Sequence, residues 1–453
     1  MDSRIIIVPV DSSYKEFQKF EAAFKDSGMW ERFVFVCDSD IQIYTEQAQV
    51  VQIEPSKYKL DDFKAAYKDV VPERNFNDFC AIDLLQNRNK FSDSKVYLDS
   101  LKLSFLSLID ILKKYDDAVV VNYSALHFFP RAVSRIAMHL GFDFHSYAQS
   151  IIPDKEYIWI DNAETHSCNA LEEKFSYYLN NSATLDDRYR SLKDRVISGK
   201  KNKTFLSGNK RTITSELRAL YAIRNRSFTW RLFTWRRFLG FGEKFIFRKY
   251  RAFFWRRAAG SKIPENFVFF PLHAPNESTT IIRAYPFHDD FEVLYKLSRE
   301  IDDDLTILIK EHPGFEGWLD LVTLEKIEKI PNVSLVRSDI SSHELIRKCA
   351  AVVTLNSSLW LESIFFDKPC VIFGKGVFSG FGVADEVKNM EACKQRFSKL
   401  RSEGFKISTS QTTKRKAFVV AYEDLSQDGR IYEYDKGARN SISALLKTKL
   451  EQI

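Results

Sequence analysis

Short, uninterrupted apolar runs separated by helical stretches constrain this chain more than any other feature. The first lies between Arg4 and Val10, the second is Phe33-Val34-Phe35-Val36, and the third is Ala118-Val119-Val120-Val121, followed by a helical stretch from Arg131 to Leu140. A strand that is apolar at every position is buried on both faces, which marks a parallel sheet covered by helices. The pattern resumes at Phe267-Val268-Phe269-Phe270-Pro271 and passes through a helix over Asp290 to Ile301. It goes on through Leu305-Thr306-Ile307-Leu308-Ile309-Lys310, Val333 to Val336, Ala351 to Leu355, and Cys370 to Phe373. This second series makes half of a doubly wound fold. The expected class is α/β, with an N-terminal α/β domain over 1–180, a helical linker region over 181–263, a second α/β domain over 264–390 and a helical segment over 391–453.

At 453 residues the chain has room for two or three cores. No apolar run approaches the roughly 18 residues of a membrane-spanning helix. The opening Met1-Asp2-Ser3-Arg4-Ile5-Ile6-Ile7-Val8 lacks a basic region followed by an apolar stretch and a cleavage site. A soluble, cytoplasmic protein is expected. Six cysteines (Cys37, Cys80, Cys168, Cys349, Cys370, Cys393) form no CxxC pair and no Cys/His cluster at zinc spacing, so reduced core thiols and no metal are expected.

The formal net charge of +6 is unevenly spread: between Arg224 and Arg257 stand eleven Lys/Arg against the single acid Glu243, a local +10 that leaves −4 for the rest. Twelve aromatic residues share that segment, Trp230, Trp235 and Trp255 among them. Phe247, Tyr250 and Phe254 fall on one helical face and Lys244, Arg248 and Arg251 on another, which describes a basic amphipathic helix suited to a membrane surface. Arg236, Arg237, Lys244, Arg248 and Arg251 are therefore candidates for a membrane or acceptor surface. The same residues also read as an inter-domain helix with core aromatics and solvated arginines. No nucleic-acid-binding motif accompanies them, and nucleic acid is not an expected partner.

Ligands of open α/β sheets sit outside the carboxyl ends of the strands, so the residues just after each run carry the candidate chemistry. After Phe270 come Pro271-Leu272-His273-Ala274-Pro275-Asn276-Glu277-Ser278-Thr279, a loop with an imidazole, a carboxylate and hydroxyls. It also reads as a Pro/Asn turn with Ser278 or Thr279 capping a helix. After Ile309 come Lys310-Glu311-His312-Pro313, where the lysine can meet a phosphate as a point charge and the imidazole as donor or general acid. After Leu355 come Asn356-Ser357-Ser358-Leu359-Trp360-Leu361-Glu362. Hydroxyls and free N–H groups at a helix start suit an anion, and Glu362, one turn past Ser358, suits sugar hydroxyls. An N-capping serine with an exposed glutamate fits the same residues. Together the three loops outline a crevice for a sugar nucleotide held without a metal. Asp302-Asp303-Asp304 precedes a strand's amino end and reads as a solvated turn.

From Val268 to Gly374 the sequence resembles the capsule polysaccharide biosynthesis family, which contains bacterial β-Kdo transferases of capsule and lipopolysaccharide assembly. The resemblance rests on Phe270-Pro271-Leu272-His273 with Asn276-Glu277-Ser278, Lys310-Glu311-His312-Pro313, Pro331-Asn332-Val333 and Ser342-His343-Glu344-Leu345-Ile346. It continues through Val352 to Ser358, Leu361-Glu362-Ser363 and Lys368 to Gly374. It implies two Rossmann-like domains facing across a cleft, GT-B-like, with the acceptor on the N-terminal domain and the nucleotide sugar on the C-terminal one. It implies further that Lys310, His312, Ser357, Ser358 and Glu362 hold the CMP of a donor such as CMP-Kdo, with His273 and Ser278 beside it. Glu277 takes the role of an acidic nucleophile, and His312 assists. His273 stands where many members have Gln. Around Tyr147-Ala148-Gln149-Ser150-Ile151-Ile152-Pro153 the family's acid is missing, with Glu156 and Asp161 merely nearby.

The expected function is a metal-independent glycosyltransferase using no cofactor beyond its CMP-sugar donor, acting on a glycan or lipid-linked acceptor, peripheral at the inner face of the cytoplasmic membrane. A CDP-glycerol glycerophosphotransferase of the teichoic-acid type and a non-catalytic scaffold of glycan assembly are the alternatives.

Overall fold

The computed structural model describes residues 5–10, 30–37, 49–87, 94–123, 127–150, 152, 157–162, 164–181, 184–198, 249–260, 262–274, 277–302, 304–312 and 315–426. The first sheet has six strands: β1 (Ile5–Val10), β2 (Phe33–Cys37), β3 (Gln49–Gln52), β4 (Ala118–Tyr123), β5 (Asp143–Gln149) and β6 (Tyr157–Ile160). They lie in the order β3-β2-β1-β4-β5-β6. All pairs are parallel except β5 with β6. Every residue of β2 is buried, as its apolar run requires of an inner strand. Around the sheet pack α1 (Phe63–Val70), α2 (Ala81–Asn87), α3 (Ser94–Leu112) and α4 (Phe128–His139), followed by α5 (Asn169–Asn180) and α6 (Leu185–Ser198).

The second sheet contains β7 (Phe267–Pro271), β8 (Thr306–Lys310), β9 (Val333–Val336), β10 (Ala351–Thr354), β11 (Cys370–Ile372) and β12 (Asp385–Glu386), ordered β12-β11-β10-β7-β8-β9 and parallel throughout. It is a complete doubly wound sheet, not the half that the apolar runs alone suggest. The chain adds β8 and β9 on one side of β7 and then crosses to place β10 on the other, so the topological switch point lies between β7 and β10. Its helices are α7 (Ser278–Arg283), α8 (Asp290–Glu300), α9 (Leu321–Glu328), α10 (Ser342–Lys348), α11 (Leu359–Phe365), α12 (Met390–Ser402) and α13 (Thr409–Leu425). Each sheet with its helices forms a Rossmann-like domain.

The last of the described helices, α13, returns to the first domain and packs on α5 and α6. Tyr178 donates to Asp424 at 2.5 Å, Arg188 pairs with Asp424, and Ser150 donates to Ser426 at 2.9 Å. Tyr189 of α6 reaches the carbonyl of Ile364 at 3.1 Å. One buried apolar cluster therefore runs from Ile7 and Val120 through Tyr178, Tyr189 and Phe418 to Ile364 and Phe365. A second contact joins the domains at α2 and α7, through Ile82 and Ile281.

Residues 249–258 are helical, and Gly260 bridges to Val336 at the edge of the second sheet. Of the two expected faces only Tyr250, Phe254 and Arg251 are among the described residues, and the rings of Tyr250 and Phe254 meet at 4.7 Å on one face. Ala252, Trp255 and Ala259 are buried, whereas Tyr250 and Phe253 are exposed beside Arg256 and Arg257. Burial is decided by what Trp255 packs against, a cluster with Val268 and Phe270. Arg236, Arg237, Lys244 and Arg248 lie outside the described residues, as does Phe247. Arg251 donates to the carbonyl of Trp318 at 3.3 Å. No helix among the described residues is long and apolar enough to cross a membrane. All six cysteines are buried free thiols, and burial pushes Cys349, Cys370 and Cys393 each up to about 12.

Candidate active site

The switch point of the second sheet is closed by one imidazole. His273, two residues past β7, is held from both ends of its ring. Its Nδ1 lies 2.8 Å from Asp290 at the start of α8, and its backbone N–H donates to the other oxygen of the same carboxylate at 2.6 Å. Its Nε2 lies 3.1 Å from the Thr354 hydroxyl and takes the N–H of Asn356 at 3.3 Å. The Thr354 hydroxyl in turn accepts the N–H of Ser357 at 3.0 Å. With Nδ1–H donated to Asp290, Nε2 is the acceptor, and the loops after β7 and β10 are stitched together. His273 is thus committed to internal bonds on both nitrogens and braces the two loops. Burial opposes its protonation, but the charge and hydrogen bond of Asp290, with Glu277 adding, hold its pKa above the ordinary imidazole value.

Glu277 precedes α7 in that same first loop, and its Oε1 accepts the hydroxyl of Thr279 at 2.7 Å. Ser278 opens the helix. Lys310, at the end of β8, is only 4% exposed and donates to the Ser342 hydroxyl at 3.0 Å. His312 is half-buried, with its ring 5.4 Å from that of Phe315. Burial lowers its pKa, His273 and Lys310 add to this, and the charge of Glu277 opposes. A neutral His312 offers one N–H donor without a fixed charge. Burial also brings Arg283, in the last turn of α7, down to about 10 against the pull of Glu277. Glu277, His273, His312, Lys310 and Arg283 therefore share one electrostatic neighbourhood.

The third loop lies beside them. Ser357 Oγ accepts the N–H of Leu359 at 3.4 Å, and Ser358 is exposed at the start of α11 without a side-chain capping bond. Glu362 lies 3.0 Å from Nε2 of His343, which opens α10 together with Ser342. Ser342 and His343 stand in the family pattern, yet sequence reasoning gave them no role; their partners, 32 and 19 residues away, lie on other elements. Gly374 lets β11's loop approach closely, since a Cβ there would sit 2.5 Å from the Leu355 carbonyl.

The first domain also reaches this region. His166 is held at φ 61°, and its Nε2 is buried with no hydrogen-bond partner among the described residues. Burial and the nearby charge of Arg283 hold its pKa well below the usual range. Its hairpin is pinned by Glu164, which bonds Arg131 at 3.0 Å and Arg135 at 2.8 Å. Asp161 accepts the N–H of Asn169 at 2.6 Å, and Glu156 lies outside the described residues. Asp302 and Asp304, at the amino end of β8, both pair with Arg401. Among the described residues no group of three His, Cys, Asp or Glu side chains could hold a metal ion.

Comparison with known proteins bears on the second domain. Residues 269–431 match the family described as capsule polysaccharide biosynthesis protein, in agreement with the resemblance read from the loops. No curated protein matches the sequence. Among solved structures, the chain is similar to the β-Kdo 2,7-transferase of KpsC from Thermosulfurimonas dismutans, at 10% identity and a TM-score of 0.40, covering 98% of this chain and 100% of that one. It is also similar to OtsA at 12% identity and a TM-score of 0.34, covering 99% of each chain. A third similar structure is UDP-GlcNAc 2-epimerase from Neisseria meningitidis bound to UDP-GlcNAc, at 9% identity and a TM-score of 0.29, covering 99% of this chain and 100% of that one.

Proposed function

We propose that this chain, whose residues 269–431 match the capsule polysaccharide biosynthesis family, is a glycosyltransferase of bacterial surface-polysaccharide assembly that takes a Kdo-like sugar from a CMP-activated donor. The observation that carries this reading is the braced pair of loops at the switch point between β7 and β10, where Glu277, Lys310 and His312 gather at the carboxyl ends of the strands. In the proposal Lys310, neutral His312 and the Ser357 and Ser358 hydroxyls meet the donor phosphate, with Ser278 beside it. Glu362, steadied by His343, takes the ribose hydroxyls. This charge set lets the step proceed without a metal.

Transfer proceeds in two displacements. A Glu277 oxygen bonds to the anomeric carbon as the carbon's bond to the phosphate oxygen breaks, and CMP departs with that electron pair. The acceptor hydroxyl then displaces Glu277, losing its proton to water. The first domain takes the glycan or lipid-linked acceptor. The basic aromatic segment lies against the inner face of the cytoplasmic membrane, a placement supported by the exposure of Tyr250 and Phe253 beside Arg256 and Arg257.

Calorimetry with CMP, CDP and UDP tests the nucleotide site; a scaffold binds none of them. Product analysis with CMP-Kdo against CDP-glycerol then separates sugar transfer from glycerophosphate transfer. Flotation with anionic liposomes tests the membrane placement, which falls if deleting residues 224–257 leaves a folded enzyme that floats as before.

A further inference from the structure

Between the two candidate phosphate ligands sits a carboxylate that the proposed reaction does not use. Glu311 is 4% exposed. Alternation along the extended chain sends its side chain away from Lys310 and His312, and its Oε1 accepts three successive backbone N–H groups: Gly317 at 2.9 Å, Trp318 at 3.2 Å and Leu319 at 3.4 Å. Gly317 takes φ 79°, which lets consecutive N–H groups converge on one anion. The His312 carbonyl accepts the N–H of Phe315 at 2.8 Å, and the Phe315 carbonyl that of Trp318 at 3.0 Å. The rings of His312, Phe315 and Trp318 follow one another at 5.4 and 5.6 Å. From the far side Arg256 grips Glu316 with two bonds of 2.7 Å, and Ser338 adds a third at 2.9 Å.

We infer that Glu311 is a positioning residue of the donor site: its carboxylate closes the turn at 315–319 and, through Phe315, sets the place of the His312 ring. The inference rests on the proposed donor site. Its Oε2 is buried with no hydrogen-bond partner among the described residues. Burial pushes the carboxyl up to about 7, with Glu316 adding and the three N–H groups opposing. A charged acceptor holds N–H groups more strongly than a neutral one, so these three bonds tighten above about pH 7, against the cost of burying the charge, and weaken as Glu311 takes a proton. The charge acting on it is that of Glu316 in the turn, which Arg256 and Lys249 on the helix behind in turn offset, while Lys310 and His312 flank it in sequence. His312 titrates lower, and its protonation would strengthen phosphate binding, the opposite sign. The two effects are separable.

The test uses the full chain with Glu311→Gln, which keeps an acceptor but removes the charge. Histidine-selective NMR without nucleotide, with His312 assigned by the resonance lost in His312→Ala, should show a wild-type step near pH 7 that vanishes in the variant. At about pH 8 the variant should bind CMP about tenfold more weakly by calorimetry, and its affinity should lose its pH dependence near neutrality. An unchanged His312 resonance, or an unchanged CMP affinity, overturns the inference, even if Tm falls. If the wild type binds no nucleotide the functional reading fails, and the His312 resonance alone decides whether Glu311 positions it.

Discussion

The backbone N–H of Asn356 meets Nε2 of His273 at 3.3 Å while the opposite nitrogen of that ring meets Asp290 at 2.8 Å. One side chain thus ties the loop after β10 to the loop after β7 and to α8, across the switch point where a donor would lie. His273→Ala leaves the Asp290 carboxylate, the Thr354 hydroxyl and the Asn356 N–H without this partner. At about 1–3 kcal/mol for each orphaned buried group, a loss of roughly 3 kcal/mol is expected. His273→Gln, which can still bridge, should cost less. Because the folded pKa is raised, the ion pair of the protonated ring with Asp290 gives stability that is fully present below the free value of 6.5 and fades as pH rises through the folded one, while the Asn356 bond is made only by the neutral ring. Urea titrations across pH check this; equal stability of wild type and alanine variant would make the brace incidental.

Glu277→Gln should depress transfer by about a thousandfold or more while nucleotide affinity stays near wild type, because an amide cannot displace the phosphate. His312→Ala should act mainly on nucleotide binding, weakening it about tenfold. Calorimetry and single-turnover kinetics separate the two, and near-normal turnover of Glu277→Gln would remove it as nucleophile.

Gly374→Ala places a methyl group 2.5 Å from the Leu355 carbonyl and 3.0 Å from Cβ of Asn356. Relief must come from the β10 loop that His273 holds, at a cost of about 1–3 kcal/mol. Nucleotide affinity should fall with stability. A variant as stable as wild type and binding as tightly would show that the loop yields freely.

Glu164 is the anion of a buried cluster in the first domain, and Arg131 beside it is fully buried. Burial alone would raise its pKa, yet Arg131 and Arg135 bring it down to about 2. A depressed pKa gives stability that is present above the unfolded value of 4.5 and lost as pH falls toward 2. Glu164→Gln strands Arg131 and should cost about 3–5 kcal/mol at neutral pH. It should also remove the acid-induced loss between those values, as acid titrations followed by circular dichroism would show.

Seven inner strands were legible because burial on both faces writes a continuous apolar run: β1, β2, β4, β7, β8, β10 and β11 all carry one. β3, β5, β6 and β12 escaped notice. β5, Asp-Phe-His-Ser-Tyr-Ala-Gln, mixes polar and apolar positions, and β12 has two residues at the sheet's edge. Glu277, Lys310 and His312 could be singled out because each follows such a run. Asp290, Thr354, Ser342 and His343 could not, since nothing local distinguishes a helix-start aspartate or serine from the one that receives His273 or Lys310.

Local residue pattern therefore settled the α/β class, the strand ends that hold the candidate residues and the concentration of positive charge in one segment, because strand burial and charge are properties of neighbouring residues. Which loops meet was settled only in three dimensions. The crossing of β10 to the far side of β7, the brace of His273 and the return of α13 to the first domain all join residues scores or hundreds of positions apart. The helix over 249–258 makes the same point: its pattern offered two faces, and the packing of Trp255 under the second sheet chose which one is buried.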